Sequence, residues 1–190
     1  MISKEFLIDF KEFIFKKNAK TIYPKRIISS LYFENYKNQM YDDSIEGLVP
    51  RKKIRIRHYP EDLSPTYYLE LKISSEEGRF KKRKTLNNKD YNQFLNNGIL
   101  DEQYGLCKPV LHVTYEREYY LINDVRVSID INIDYKSYSG SELGSDSNCA
   151  VELKADINKD RNNLLNTFPF QRIRFSKYCN GMEKNKFEGI

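Results

Sequence analysis

The chain has 190 residues, of which 32 are basic and 27 acidic, giving a net charge of +5. This length accommodates one domain with a sizeable core, and the modest, interspersed charge does not by itself demand a nucleic-acid partner. There is no apolar run near the ~20 residues of a membrane span and no signal peptide, and the three widely spaced cysteines lack metal-ligand spacing, which favours reduced thiols in a cytoplasmic protein.

The N-terminal region is predicted to be helical. Apolar residues recur at helical spacing over residues 3–17, with Lys and Glu on the other side. Tyr23-Pro24 then breaks the helix, and Arg26–Phe33 is predicted to be the first strand. A short helix over Glu34–Tyr41 and a loop over Asp42–Pro50 follow.

The segment Arg51–Tyr59 is predicted to be a strand that carries three cations on one face. Successive side chains of a strand point to opposite sides, so Lys53, Arg55 and Arg57 share a face, and two isoleucines lie on the other. Like charges on one face repel each other unless an anion lies among them. This face is therefore either solvated or a site of phosphate size.

The same alternation of charged and aliphatic residues recurs further along the chain. Hairpin turns are predicted at Glu76-Glu-Gly78 and Asn123-Asp124, a helix at residues 88–98 and a loop at residues 136–148. The later strands are predicted over Tyr67–Ile73, Arg79–Thr85, Pro109–Tyr120, Asn123–Tyr135 and Cys149–Ala155. A helix over Asn158–Phe168 and a last segment over Phe175–Met182 complete the chain.

The charged faces of several strands favour one shared site. A single polar face is what a half-solvated antiparallel sheet ordinarily shows. Here, however, Arg or Lys repeatedly occupies the middle of a strand, and Arg matches phosphate oxygens with two donors. A few carboxylates on these faces are what a divalent metal bridging phosphates would need. One common cavity is predicted for the side chains of Arg55, Arg57, Glu70, Lys72, Arg117, Arg126, Glu152 and Lys154.

Short motifs in a fixed order resemble a known family over about residues 26–180. The family is the vacuolar transporter chaperone (VTC) domain, the polyphosphate polymerase branch of the CYTH-like triphosphate tunnel metalloenzymes. Leu31-Tyr-Phe-Glu34 is similar to its Tyr-Phe-Asp strand end. The six other motifs are Arg55-Ile-Arg57-His-Tyr59, Leu69-Glu-Leu-Lys72, Tyr115-Glu-Arg117, Val125-Arg-Val-Ser-Ile-Asp130, Val151-Glu-Leu-Lys154 and Ser176-Lys-Tyr178.

The resemblance implies a fold and an activity. The fold would be α+β, a single domain over residues 1–190 with an N-terminal helix over 1–20. Its core would be an antiparallel β-barrel or tunnel of about eight strands, with a polar, basic lumen and helices outside. The activity would be transfer of the ATP γ-phosphoryl group to a growing polyphosphate chain, with Mn²⁺ or Mg²⁺ as cofactor.

The resemblance also assigns roles to individual residues. Glu152 would hold the metal. The catalytic residues, which would bind the phosphates, would be Arg55, Arg57, Lys72, Arg117, Arg126 and Lys177. Substrate would further contact Lys82, Tyr115, Glu70, Lys154 and Asp130. His58 and His112 lie on the opposite strand faces and are interpreted as structural residues.

The resemblance departs at the N-terminus, and other functions stay open. The family begins with a strand bearing a Glu-x-Lys motif, whereas Met1–Lys17 is predicted to be helical, so we expect a tunnel short of one charged strand. The alternatives are a metal-dependent triphosphatase and a non-catalytic polyphosphate-binding module; an RNA-binding barrel ranks last, because the cations alternate with aliphatic residues. The expected partners are ATP and triphosphate or polyphosphate, without nucleic acid. Coupling to membrane export would need another protein.

Overall fold

The computed structural model describes residues 1–155, 168 and 170–187, and in this part of the chain it shows an α+β fold. The described residues include the helices α1 (Leu7–Lys16), α2 (Gln39–Glu46), α3 (Asn88–Asn97) and α4 (Lys177–Phe187). The strands are β1 (Ile2–Ser3), β2 (Lys20–Asn35), β3 (Arg51–His58), β4 (Tyr67–Ser75), β5 (Gly78–Leu86), β6 (Ile99–Asp101), β7 (Gly105–Ile122), β8 (Val125–Ser137), β9 (Glu142–Ser145) and β10 (Asn148–Lys154). The predicted α+β class with an antiparallel sheet is confirmed.

Within the described residues, the sheet contains ten strands rather than about eight. Its hydrogen-bonded order is β1-β10-β8-β7-β2-β3-β4-β5, with β6 paired to β7 and β9 to β8. Among the described residues this order is an open path from β1 to β5, so strand pairing does not close the expected barrel.

Several element boundaries differ from the sequence-based predictions. The helix predicted at Glu34–Tyr41 begins later, because Asn38 adopts a left-handed conformation with φ of 57° and Gly47 ends the helix at φ of 82°. The predicted loop at 136–148 contains β9, and the last predicted segment is helix α4. The helix predicted at Asn158–Phe168 lies outside the described residues except for Phe168.

The chain divides into two compact units. The first unit comprises Met1–Arg26, Tyr115–Ile133 and Asp146–Phe175. In its core, Phe10 and Ile14 of α1 cluster with Val125, Val127 and Ile129 of β8. These β8 residues alternate with Arg126, Ser128 and Asp130, so the apolar face of the strand lies against the helix, as predicted, and the polar face lies opposite.

The second unit comprises Ile27–Thr114, Asp134–Ser145 and Ser176–Ile190. Its apolar strand face includes Phe33 of β2, Ile54 and Ile56 of β3 and Leu69 of β4, all buried. Helix α2 contacts both β3 and α4. The first unit holds the short strand β1, in which Ile2 and Ser3 pair with Cys149 and Asn148, so a strand, though of two residues, precedes α1 where a helix was predicted.

Candidate phosphate-binding site

The register of three neighbouring strands builds a face rich in cations in the second unit. Residues directly opposite in an antiparallel pair point to the same side of the sheet. Lys53 pairs with Lys72, and Lys72 pairs with Lys81. One step along the sheet, Arg55 pairs with Glu70, and Glu70 with Arg83. We call this set, with Arg57, the basic face: Lys53, Arg55, Arg57, Glu70, Lys72, Lys81 and Arg83.

Glu70 is the centre of the basic face. Its side chain is 1% exposed, and its Oε2 accepts hydrogen bonds from Nε and Nη2 of Arg55 at 2.8 and 2.6 Å. Its Oε1 lies 2.6 Å from Lys81 Nζ, and more distant ion pairs join it to Arg57 at 3.9 Å and Arg83 at 3.8 Å. Burial by itself would raise the pKa of Glu70, but the charges of Arg55 and Arg57 and the bond from Lys81 lower it to about 2.

The three lysines of the basic face form a cross-strand row. Lys53, Lys72 and Lys81 lie directly opposite one another, and like charges in that position destabilise a sheet. Lys81 reaches Glu70, and Lys53 donates to Ser176 Oγ at 2.8 Å and lies 5.1 Å from the centre of the Tyr178 ring. Six cations thus share this face with a single carboxylate, which leaves a strong excess of positive charge.

The neighbouring strand β2 adds a tyrosine whose acidity reflects this charge. Tyr32 pairs with Arg55 in the sheet, and its hydroxyl accepts a hydrogen bond from Arg55 Nη1 at 3.0 Å. Burial would raise the pKa of Tyr32, but the charges of Arg55, Lys72 and Arg57 lower it to about 7. The phenol is therefore poised to lose its proton near neutral pH.

Glu34 fixes helix α4 beside the basic face. Its carboxylate accepts hydrogen bonds from the backbone N–H groups of Asn35, Met40 and Tyr41 at 2.9, 3.2 and 2.9 Å, and so caps the first turn of α2. It also accepts a short hydrogen bond from the Tyr178 hydroxyl. Burial raises the pKa of Glu34, although these bonds oppose the shift. Glu34 is thus a structural carboxylate that holds Tyr178, and with it the start of α4.

The first unit contains a second cationic cluster, centred on Arg117. Arg117 Nε and Nη2 donate to the two oxygens of Asp130 at 2.5 and 2.7 Å, a bidentate pair with Asp130 almost fully buried. Burial would lower the pKa of Arg117, but the bond to Asp130 raises it, so the guanidinium stays charged. The Tyr115 ring centre lies 5.3 Å from Arg117 Cζ. Asp130 therefore orients Arg117.

Glu152 is the carboxylate of this cluster with free access to solvent. Its side chain is 52% exposed, 4.0 Å from Arg117 Nη2 and 3.6 Å from Lys154 Nζ. Sheet pairing sets it opposite Ser128 and Lys154 opposite Arg126, so these side chains share one face. Mg²⁺ and Mn²⁺ are usually held by one or two carboxylates together with phosphate oxygens, and Glu152 fits that limited role. Among the described residues, no group of three or more His, Cys, Asp or Glu side chains is placed to hold a metal.

Most of the predicted site residues fall into these two clusters. The second unit brings together Arg55, Arg57, Glu70 and Lys72, and the first unit brings together Tyr115, Arg117, Arg126, Asp130, Glu152 and Lys154. Strand pairing confirms a common face for Arg55, Glu70 and Lys72, and another for Arg126, Glu152 and Lys154. One cavity common to both sets, and the roles of these residues, stay predictions.

Two predicted residues lie elsewhere. Lys82 pairs with Leu71, so the two-residue repeat of the strand turns it away from the basic face, to the side opposite Lys81 and Arg83. Its predicted contact with substrate stays a prediction. Lys177 is the first residue of α4 and not part of a strand, and Ser176 caps this helix by accepting from Cys179 N at 3.2 Å. His112 stacks on Tyr138, whereas the His58 ring packs against Tyr67 at an interplanar angle of 46°, and burial lowers the pKa of each histidine.

The structure adds residues that the sequence-based list of site residues omits. Lys53, Lys81 and Arg83 belong to the basic face, and Tyr32 and Glu34 support it. A signal for Lys81 and Arg83 was present in the turn: a two-residue turn at Glu76-Glu77 fixes the register in which Ser75 faces Gly78 and Glu70 faces Arg83.

These features define an α+β protein whose antiparallel sheet carries arginines and lysines around buried carboxylates. The family model described as the VTC domain matches residues 10–105 and 99–186. The chain therefore belongs to the VTC domain family, which confirms the resemblance seen in the sequence. No curated protein matches the chain.

Solved structures share the fold at low sequence identity. A candidate adenylate cyclase of Bacillus halodurans is 16% identical with a TM-score of 0.59, over 93% of this chain and 90% of that one. A Pyrococcus horikoshii protein is 18% identical with a TM-score of 0.45, over 93% and 84%. An RNA triphosphatase of S. pombe is 13% identical with a TM-score of 0.33, over 78% and 52%. The first similarity supports the fold alone, and the lower scores of the others support no conclusion.

Within the described residues, no helix is long and apolar enough to cross a membrane.

Proposed function

We propose that this chain is a polyphosphate polymerase that transfers the γ-phosphoryl group of ATP to a polyphosphate chain, with Mn²⁺ or Mg²⁺ as cofactor. Membership of the VTC domain family supports the assignment. The observation that carries it is the basic face, where six cations from three strands share one face with a single carboxylate, and four of them contact it. A location in the cytoplasm is proposed with it, because the three cysteines are free and buried.

The charge of the basic face favours a polyanion over a single phosphate. Glu70 neutralises one of six positive charges. The three lysines of the row, which lie opposite one another on β3, β4 and β5, repel each other. An anion with several linked charges relieves this repulsion at more than one point. The arginines supply planar donors for phosphate oxygens, and the lysines supply compact charge.

The chemistry of phosphoryl transfer suits these residues. The protein forms few or no covalent bonds in this reaction; it positions the reactants and neutralises charge on the transferring group. Glu70 and Asp130 hold Arg55 and Arg117 in place before substrate arrives, so little reorganisation is left for the reaction. Glu152 would hold the divalent metal, which when bound would neutralise charge on the phosphate oxygens.

The proposal is tested by incubating purified protein with ATP and Mn²⁺ and analysing the products. A polymerase forms long-chain polyphosphate. Release of free phosphate without chains would identify a triphosphatase, and triphosphate binding without either product would identify a binding module. Each of these two outcomes contradicts the polymerase assignment.

Two variants separate binding from catalysis. Glu152→Gln preserves the shape of the side chain but removes its charge, so metal-dependent turnover should fall by orders of magnitude while metal-free triphosphate binding survives. Arg57→Ala removes a phosphate contact, so binding and turnover should both weaken. Glu142→Gln, in an exposed ion pair with Lys136, is the matched control and should change neither. If Glu152→Gln keeps full metal-dependent turnover, Glu152 is not a metal ligand.

A further inference from the structure

The strand at the end of the sheet carries an unusual run of charge. Five of the six residues from Arg79 to Lys84 are cations. In the part of the chain that the structure describes, β5 pairs with β4 on one side and the strand order ends there on the other. We call this run the edge strip: Arg79, Lys81, Lys82, Arg83 and Lys84.

The edge strip joins the basic face to solvent. Lys81 and Arg83 reach Glu70 at 2.6 and 3.8 Å, yet their side chains are 45% and 40% exposed. Arg79 lies two residues from Lys81 on the same side of the strand, opposite Ser74, and Lys82 projects to the other side. Lys84 is engaged by Asp90 at 3.7 Å. In the described part of the chain, Arg79 and Lys82 are exposed and have no ion pair.

The edge strip is longer than a bound triphosphate. Six residues of extended strand span roughly 16–20 Å at ~3.3 Å per residue. The strip ends at the turn residues Glu76 and Glu77, whose negative charges would repel an anion. Among the described residues β5 pairs only with β4, so its other edge presents main-chain N–H groups that suit an added acceptor. Cations and N–H groups on an exposed extended strand suit a linear polyanion.

We infer that the edge strip is a second binding site, which holds the part of a long polyphosphate chain that extends beyond the basic face. The inference rests on the proposed function and deepens it: the basic face binds the reacting phosphates, and the strip selects for chain length. Lysines on edge strands also hinder aggregation, and that role alone predicts no dependence on the length of a ligand.

The experiment compares triphosphate with long-chain inorganic polyphosphate as ligands of the full chain. The strip variant is Arg79→Ala with Lys82→Ala, two residues outside the Glu70 contacts. The control variant is Lys16→Ala with Lys20→Ala, which removes the same charge from exposed positions elsewhere. Affinities are measured at several salt concentrations, because each lost phosphate contact reduces the salt dependence of polyanion binding.

The strip variant should bind triphosphate within about twofold of wild type and long-chain polyphosphate about tenfold more weakly, with a salt slope smaller by about one to two. The control should bind both ligands like wild type. Equal loss for the two ligands, an unchanged affinity for the long chain, or the same loss in the control would overturn the inference. Equal displacement of the long chain by an oligonucleotide of matched charge would also overturn it, in favour of nucleic acid.

The proposed function fails in a different way. If Arg57→Ala binds triphosphate as wild type does, the basic face is not the phosphate site, whatever the strip variant shows. If wild type binds the long chain but not triphosphate, and the strip variant loses that binding, the strip stands as a polyanion site and the polymerase proposal falls.

Discussion

Replacing Glu70 by Gln tests the charge balance on which the site depends. The variant keeps the size of the side chain but leaves Arg55, Arg57, Lys81 and Arg83 without their shared counter-ion. The pKa of Glu70 is about 2 in the folded protein, against an ordinary value of 4.5, and this difference corresponds to about 3 kcal/mol of stability at neutral pH. For a chain of this length, such a loss lowers the Tm by roughly 6–12 °C.

The pH dependence gives the sign of the effect. A carboxyl group with a lowered pKa stabilises the fold above its unfolded pKa of about 4.5, and that stabilisation is lost as the pH falls towards 2. The free energies of unfolding of wild type and Glu70→Gln, measured with denaturant, should therefore differ by about 3 kcal/mol at pH 7 and converge as the pH approaches about 2. Glu142→Gln, which loses a surface ion pair, should stay within about 0.5 kcal/mol of wild type.

Triphosphate should raise the Tm of Glu70→Gln more than that of wild type, because the anion supplies the negative charge that the variant lacks. The measurement is the shift in Tm at a fixed triphosphate concentration. Equal stability of the two proteins at pH 7, or a smaller triphosphate shift in the variant, would refute the reasoning that Glu70 acts as the counter-ion of an anion site.

Three further predictions follow from the same contacts. Because the pKa of Tyr32 is about 7 rather than 10, wild type should gain stability relative to Tyr32→Phe as the pH rises from about 7 to 10, measured by denaturant unfolding; parallel curves would contradict the charge on this phenol. Tyr178→Phe removes a donor from the buried Glu34 and should cost about 1–3 kcal/mol, with little added effect in a Glu34→Gln background; additive losses would show that the two side chains act independently. Triphosphate should raise the Tm more than sulfate or pyrophosphate at matched ionic strength, whereas equal shifts would indicate general screening.

The face of each strand could be read from the sequence because the alternation of side chains is a property of the extended backbone. Lys53, Arg55 and Arg57 needed no tertiary information to be placed together. The partners across the strands needed the register, and register depends on turn geometry. The run from Lys81 to Lys84 shows this limit: every residue in it is a cation, so composition alone cannot say that Lys81 and Arg83 face Glu70 while Lys82 faces the other side.

The helices show which features could not be predicted from local sequence. The segment predicted as a helix at Glu34–Tyr41 instead begins with the last two residues of β2 and a turn, and the Glu34 side chain caps α2 from five residues before its first residue. That cap depends on the strand end holding the carboxylate in place. Helix α4 had one local signal, Ser176, whose hydroxyl accepts from Cys179 N. Its link to Glu34 spans 144 positions and left no trace in the local pattern.

The carboxylates were the hardest residues to interpret, because the same chemical group has different roles at different depths. Glu70 and Asp130 are almost fully buried and bound to arginines, so each fixes the direction of a guanidinium. Glu152 is half exposed and only loosely paired, so its oxygens stay accessible to a metal. Sequence parity placed all three on cation-rich faces but could not rank their burial. Burial decides which carboxylate holds the site together and which one is available for chemistry.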